Sequence, residues 1–188
     1  MAALAKRQGV MVRPTSQDYF ARLVRAICGQ QISTKAAQSI YDRFAKLAGD
    51  PPTPRRVRRL TDEQIRATGF SGGKLASVRD LTERALDGRL DLAHLESLPD
   101  QEIIEQLVAV RGIGRWTAEM FLMFSLGRPD VLAADDLGVQ VGIQRLYGLE
   151  SRPTPKQVVG LAEKSRWHPF ATAACFQLWQ SLRNNPQL

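Results

Sequence analysis

An all-α fold follows from three features of the chain. Apolar residues recur at three- and four-residue steps almost throughout. Glycine and proline punctuate the sequence at short intervals, and no segment alternates apolar and polar residues long enough to make a convincing strand. In Asp18–Gly29, Phe20, Leu23, Val24 and Ile27 share one helical face. Ser33 or Thr34 can cap the next helix, with Ala36, Ile40, Phe44 and Leu47 as its apolar positions and Gly49 as its stop. Pro51–Pro54 punctuates, and Thr61-Asp-Glu-Gln opens a short helix that Gly69 ends. A longer helix runs from Lys74 to Leu86, before Gly88. Asp100–Val108 and Arg115–Leu126 form a further pair. Asp135 or Asp136 starts a helix reaching Tyr147, and Thr154–Glu163 and Phe170–Leu182 complete roughly ten short helices.

The 188 residues hold 26 Lys+Arg and 19 Asp+Glu, a formal net charge of +7. A basic balance favours polyanionic partners, nucleic acid before an anionic membrane surface. Cys28 and Cys175 lie in apolar helical patterns and read as two buried thiols outside any disulfide, which fits a reducing cytosol. Two cysteines cannot supply the four thiolates of an iron–sulfur cluster, so no such cluster is expected. Met1–Arg13 shows no export signal, and no stretch approaches the roughly 18 apolar residues of a membrane span. Arg55, Arg56, Arg58 and Arg59 read as a solvated charge run, and His94 and His168 stand too isolated for a metal site.

The most informative stretch is Leu107-Val-Ala-Val-Arg-Gly-Ile-Gly-Arg-Trp-Thr-Ala118. It joins two helices by a hairpin tight enough to demand glycine at Gly112 and Gly114, for unusual backbone angles or for want of a Cβ. The N–H groups opening the second helix point outward at the positive end of its dipole, a ready phosphate site, and Arg111 and Arg115 add charge. Gly-x-Gly alone also suits an ordinary αα-turn. The apolar residues before it, the basic residue after it and the Thr-Ala at the helix start make the pattern more specific. Twenty positions beyond Trp116 stands Asp136, within Ala134-Asp-Asp-Leu-Gly138. Two adjacent carboxylates in an apolar setting call for a partner or a task. A helix N-cap is one such task and falls to Asp135 or neighbouring helix starts, with Asp136 left for chemistry.

These segments resemble the helix-hairpin-helix DNA glycosylase superfamily, and within it the 3-methyladenine DNA glycosylase II type. The resemblance rests on Gly29-Gln-Gln-Ile-Ser33, the hairpin Val110–Ala118, Asp135-Asp-Leu-Gly138, and Arg166-Trp-His-Pro-Phe170 with Leu178-Trp179. Together they span nearly the whole chain. It implies a single catalytic domain over residues 1–188 with a cleft between two helical lobes. The central lobe would cover about 35–134 and hold the hairpin 107–118, and the N- and C-terminal helices would form the other. An N-terminal domain carried by some members has no counterpart before the first helix, and the catalytic core reads as complete without it.

The resemblance further implies that Asp136 is the catalytic residue. An alkylated purine already carries positive charge, so its glycosidic bond is weak. An ionised aspartate would stabilise the oxocarbenium-like sugar and orient the attacking water. Trp116 occupies the position where bifunctional relatives carry a Schiff-base lysine. No lyase step is therefore expected, and the ring offers stacking to an electron-poor base; packing alone is the plainer role for it. Phe170 and Leu137 are further pocket candidates, and Met120 stands where some relatives have an aromatic. Gln31 matches the residue that fills the gap left by a flipped base, and a surface glutamine at a helix end is the alternative. Arg111, Gly112, Ile113, Gly114, Arg115 and Thr117 are the candidate DNA-binding residues, with Lys74 in a second loop. The family hairpin implies a monovalent cation, Na+ or K+, on the backbone carbonyls of Val108, Val110 and Ile113, and no cofactor is required.

The expected activity is removal of alkylated purines, 3-methyladenine and 7-methylguanine, from double-stranded DNA during base excision repair. The expected enzyme is a cytoplasmic monomer with no membrane association. Two other readings share some features. A glycosylase for oxidised or mismatched bases is disfavoured by the absent lysine and cluster cysteines. A non-catalytic hairpin DNA-binding protein would need neither Asp136 nor Trp116.

Overall fold

The structure, a computed structural model, describes residues 18–184. The expectation for Met1–Arg13 therefore lies outside the described residues. Among those described, every regular element is helical. The helices are α1 (Tyr19–Gly29), α2 (Thr34–Ala48), α3 (Pro54–Arg58), α4 (Asp62–Ala67), α5 (Gly72–Asp87), α6 (Asp100–Val108), α7 (Arg115–Phe124), α8 (Leu137–Tyr147), α9 (Pro155–Lys164) and α10 (Ala171–Asn184). A 3-10 turn at Leu95–Ser97 precedes α6. Periodicity does not foresee that turn, nor the helix α3. Arg55, Arg56 and Arg58 of α3 and its C-cap Arg59 stay exposed, while Val57 is fully buried between them. No helix among the described residues is long and apolar enough to cross a membrane. Cys28 and Cys175 are buried and share no disulfide.

The described residues divide into two compact units, 18–121 and 122–184. This division differs from the lobe boundaries read at 35 and 134. The apolar face of α1 (Leu23, Val24, Ile27) is buried, and α1 packs on α2 and α5, which places it with the hairpin. In α2 the buried stripe is Tyr41, Phe44, Ala45 and Ala48, while Ala36 and Leu47 are exposed. The stripe is rotated from the one read by hydrophobicity because Tyr41 buries its ring, with the Arg25 guanidinium 4.0 Å from its centroid. Arg79 of α5 fastens α3 by donating to the carbonyls of Val57 (3.0 Å) and Leu60 (2.6 Å). The Val57 carbonyl also accepts the Leu60 N–H at 3.2 Å, at the end of α3.

In the second unit α10 packs along α8, and α9 packs on α8. Gly138 and Gly142 lie one turn apart on α8 and let α10 approach. A Cβ at Gly142 would stand 2.9 Å from Leu178 Cβ, and one at Gly138 would stand 2.7 Å from Trp179 Cδ1. The segment before α8 is clamped to the start of α10. The Thr172 hydroxyl donates to the Arg128 carbonyl (2.7 Å) and accepts from the Val131 N–H (2.9 Å).

Candidate active site and nucleic-acid hairpin

The hairpin occupies the turn between α6 and α7. Val110 N–H closes onto Leu107 carbonyl and Ile113 N–H onto Val110 carbonyl, at 3.0 and 3.1 Å. Gly112 has φ +77°, a conformation that L side chains rarely adopt, and a Cβ there would run into the Ser77 hydroxyl. Gly114 differs: its φ is ordinary, and a Cβ built on it meets no atom within 4 Å. The backbone angle thus demands glycine at Gly112 but not at Gly114, near which no described residue comes within 4 Å of a Cβ.

Two side chains far off in sequence fix this turn. Asp80 Oδ2 accepts the Arg111 N–H at 2.7 Å, and the Gln30 amide donates to the Gly112 carbonyl at 2.8 Å. Burial pushes the Asp80 carboxyl upward, but the Arg111 N–H and the Arg84 guanidinium outweigh it and hold the group below the ordinary carboxylate value. Neither Asp80 nor Gln30 is singled out by sequence. Gln30 sits inside the quoted Gly-Gln-Gln segment, whereas nothing around Asp80 signals its partner.

The remaining hairpin candidates separate by exposure. Arg111 and Arg115 are exposed, and Arg115 Nε is held at 2.9 Å by the buried Glu119 carboxylate. Ile113 and Thr117 are buried, so their side chains anchor the turn and only their backbone can face a ligand. Lys74 Nζ donates to the Cys28 carbonyl at 2.7 Å, capping the end of α1. Next to that end, Gln31 is exposed at the α1–α2 turn with φ +59°. Trp116, on the first turn of α7, is 47% exposed, and Met120 is half-buried one turn on.

Asp136 lies in the other unit. Its Oδ1 accepts the Val139 N–H at 2.8 Å, which makes it the N-cap of α8. The same oxygen accepts the Trp179 indole N–H at 2.7 Å. The division of labour expected from sequence, with Asp135 as cap and Asp136 kept for chemistry, is therefore corrected. Asp135 is exposed, and Asp136 itself has the extended backbone (φ −70°, ψ 125°) that a cap requires. Ahead of it, the Gln140 amide donates to the Ala134 carbonyl at 2.9 Å and steadies the turn.

Around Trp179, Phe124 and Phe176 form an aromatic cluster, with Phe124 and Trp179 stacked at 5.9 Å between centroids. Leu137 is 58% exposed and Phe170 66% exposed. The loop carrying Phe170 is pinned by Asp130, whose Oδ1 lies 2.8 Å from His168 Nδ1 and accepts the Ala171 N–H at 3.1 Å. His168 thus has a structural partner. Among the described residues no group of three His, Cys, Asp or Glu could hold a metal ion.

A glycine hairpin that opens a helix presents N–H groups of the kind that hold phosphates, and the other unit holds a capped aspartate bonded to an indole. The sequence matches accordingly. Residues 24–166 match the family described as HhH-GPD superfamily base excision DNA repair protein, and the chain belongs to that family. It is 39% identical over 168 residues to DNA-3-methyladenine glycosylase 1 of Schizosaccharomyces pombe, covering 88% of this chain and 73% of that protein. The crystal structure of a DNA-3-methyladenine glycosidase from Bacillus halodurans superposes with a TM-score of 0.86 at 40% identity, over 96% of this chain and 82% of that one. A Schizosaccharomyces pombe 3-methyladenine DNA glycosylase in complex with abasic DNA gives 0.81 at 36% identity, over 97% and 90%.

Proposed function

We propose that this chain is a monofunctional DNA glycosylase that removes alkylated purines, 3-methyladenine foremost, by hydrolysing the N-glycosidic bond, with Asp136 as the catalytic residue. The relatives named above carry the glycosylase activity and its 3-methyladenine substrate. The observation that carries the residue assignment is the fixed Asp136 carboxylate, with two donors converging on one oxygen at a helix N-terminus. A carboxylate held this way needs little reorganisation when positive charge develops on the sugar, the condition under which electrostatic stabilisation is strongest. Because the departing base is already cationic, no strong general acid is required.

DNA is held through the hairpin amides and Arg111; Trp116 and Met120 in one unit, and Leu137 and Phe170 in the other, are each base-contact candidates. The carbonyls of Val108, Val110 and Ile113 follow the C-terminal end of α6, where oxygens lack helical donors. Neutral hard oxygens of this kind suit Na+ or K+, which would link the hairpin to a phosphate. The Val110 oxygen, already accepting Ile113 N–H, keeps a second lone pair for that role. The reading is tested by Asp136→Asn, which keeps shape and cap. Single-turnover excision of 7-methylguanine or 3-methyladenine should fall by ~10²–10⁴ while affinity for abasic DNA stays unchanged. Activity within tenfold of wild type would remove Asp136 from the chemistry.

A further inference from the structure

Trp179 stands out because its surroundings are arranged around its N–H rather than merely around its ring. The ring is stacked by Phe124 and met at a tilt by Phe176, contacts that any aromatic side chain could make. The nitrogen, however, reaches Asp136 Oδ1 at 2.7 Å, and only the missing Cβ of Gly138 allows it. A Cβ there would stand 2.7 Å from Cδ1, 2.9 Å from Nε1 and 3.1 Å from Oδ1, pressed against the indole and both partners of the bond. The glycine after Asp-Asp-Leu is thus explained by the passage of this hydrogen bond. The Val139 N–H reaches Oδ1 from the helix axis. The two donors come from different helices, α8 and α10, and together they narrow the directions that Oδ1 can take.

We propose that Trp179 is a positioning residue for the excision reaction, its indole N–H locking the Asp136 carboxylate in one orientation and Gly138 opening the path for it. The proposal rests on Asp136 being the catalytic residue. Misplacing a reacting group by about 1 Å can cost on the order of 10²-fold in rate, and aromatic stacking alone would not set the orientation.

The test replaces the donor and keeps the ring. Trp179→Phe, and separately a benzothienyl-alanine at 179 in which sulfur replaces N–H, should slow single-turnover excision of 7-methylguanine by ~10- to 100-fold. The dissociation constant for abasic DNA and the melting temperature should hold with the sulfur isostere, which covers the case in which the phenylalanine packs poorly. A ring with a merely structural role would leave the rate of the isostere unchanged, and that result overturns the proposal. Independently of activity, the Trp179 indole N–H resonance in a 15N spectrum should move in Asp136→Ala while those of Trp116 and Trp167 stay. An unmoved Trp179 signal also overturns it. If Asp136→Asn keeps its activity, the reading of Asp136 fails. If Asp136→Asn is inactive and the isostere is fully active, only the role of Trp179 fails.

Discussion

Gly112 and Gly114 occupy one hairpin for different reasons, and single substitutions separate them. At Gly112 the φ of +77° makes any side chain cost on the order of 1–2 kcal/mol, with the Ser77 contact added. Gly112→Ala should therefore lower the melting temperature by several degrees and weaken DNA binding as a consequence. Gly114→Ala should leave the melting temperature alone, because its Cβ meets no protein atom, and should weaken DNA binding for all sequences alike. Phosphate contacts carry no sequence information. Calorimetry beside a filter-binding series on unrelated duplexes checks both. Equal thermal losses in the two variants would contradict the distinction. Gln31 is the other residue whose backbone is informative. A non-glycine residue at φ +59° on an exposed turn suits a side chain that must project. Gln31→Ala should slow excision of a paired lesion more than excision of the same lesion opposite an abasic gap, as read by single-turnover rates across opposing bases.

At the scale of elements, the hairpin is held from outside itself. Asp80 on α5 and Gln30 after α1 take its Arg111 N–H and Gly112 carbonyl, so the turn is fixed before any ligand arrives. Because the Asp80 carboxyl sits below its ordinary value of 3.8, its contribution to stability is complete above that value and disappears as pH falls through the lower, folded-state value. Asp80→Ala should therefore melt below wild type at pH 7, and the gap should narrow below pH 3.8; thermal melts across an acid series give the comparison. The helices themselves are largely legible from periodicity and caps. Ser33, Thr61 and Thr154 cap α2, α4 and α9 through their side chains, as residues of their type do. What escapes a reading of neighbours is contact at a distance. The Asp80–Arg111 bond spans 31 positions and the Trp179–Asp136 bond 43, with no local pattern to announce either. The α2 stripe is misread for a different reason, since Tyr41 counts as polar in a hydrophobicity pattern yet buries its ring.

For the whole molecule, a net charge of +7 and the phosphate role proposed for the hairpin predict DNA affinity that falls steeply with salt. Each phosphate contact contributes about −0.9 to the slope of log K against log salt. Gly114→Ala should reduce that slope by about one, and titrations between 50 and 200 mM salt provide the reading. Trp116 has no amine to form an imine with the sugar, so borohydride should trap no covalent protein–DNA adduct at the abasic product. A trapped band on a denaturing gel would restore a lyase step.

Asp136 caps α8 and is also the proposed catalytic group, which couples folding and chemistry in one atom. In many enzymes a reactive side chain is a burden on stability, and removing it makes the protein firmer. Here removal to alanine gives up a cap worth ~1 kcal/mol along with the chemistry. A descendant relieved of the need to excise bases would still be selected to keep Asp, Asn, Ser or Thr at this position, since only those accept the Val139 N–H well. Decay of the activity would then show first as a change from Asp to Asn or Ser. Trp179 and Gly138, whose hydrogen bond serves the carboxylate, would be freed to drift afterwards.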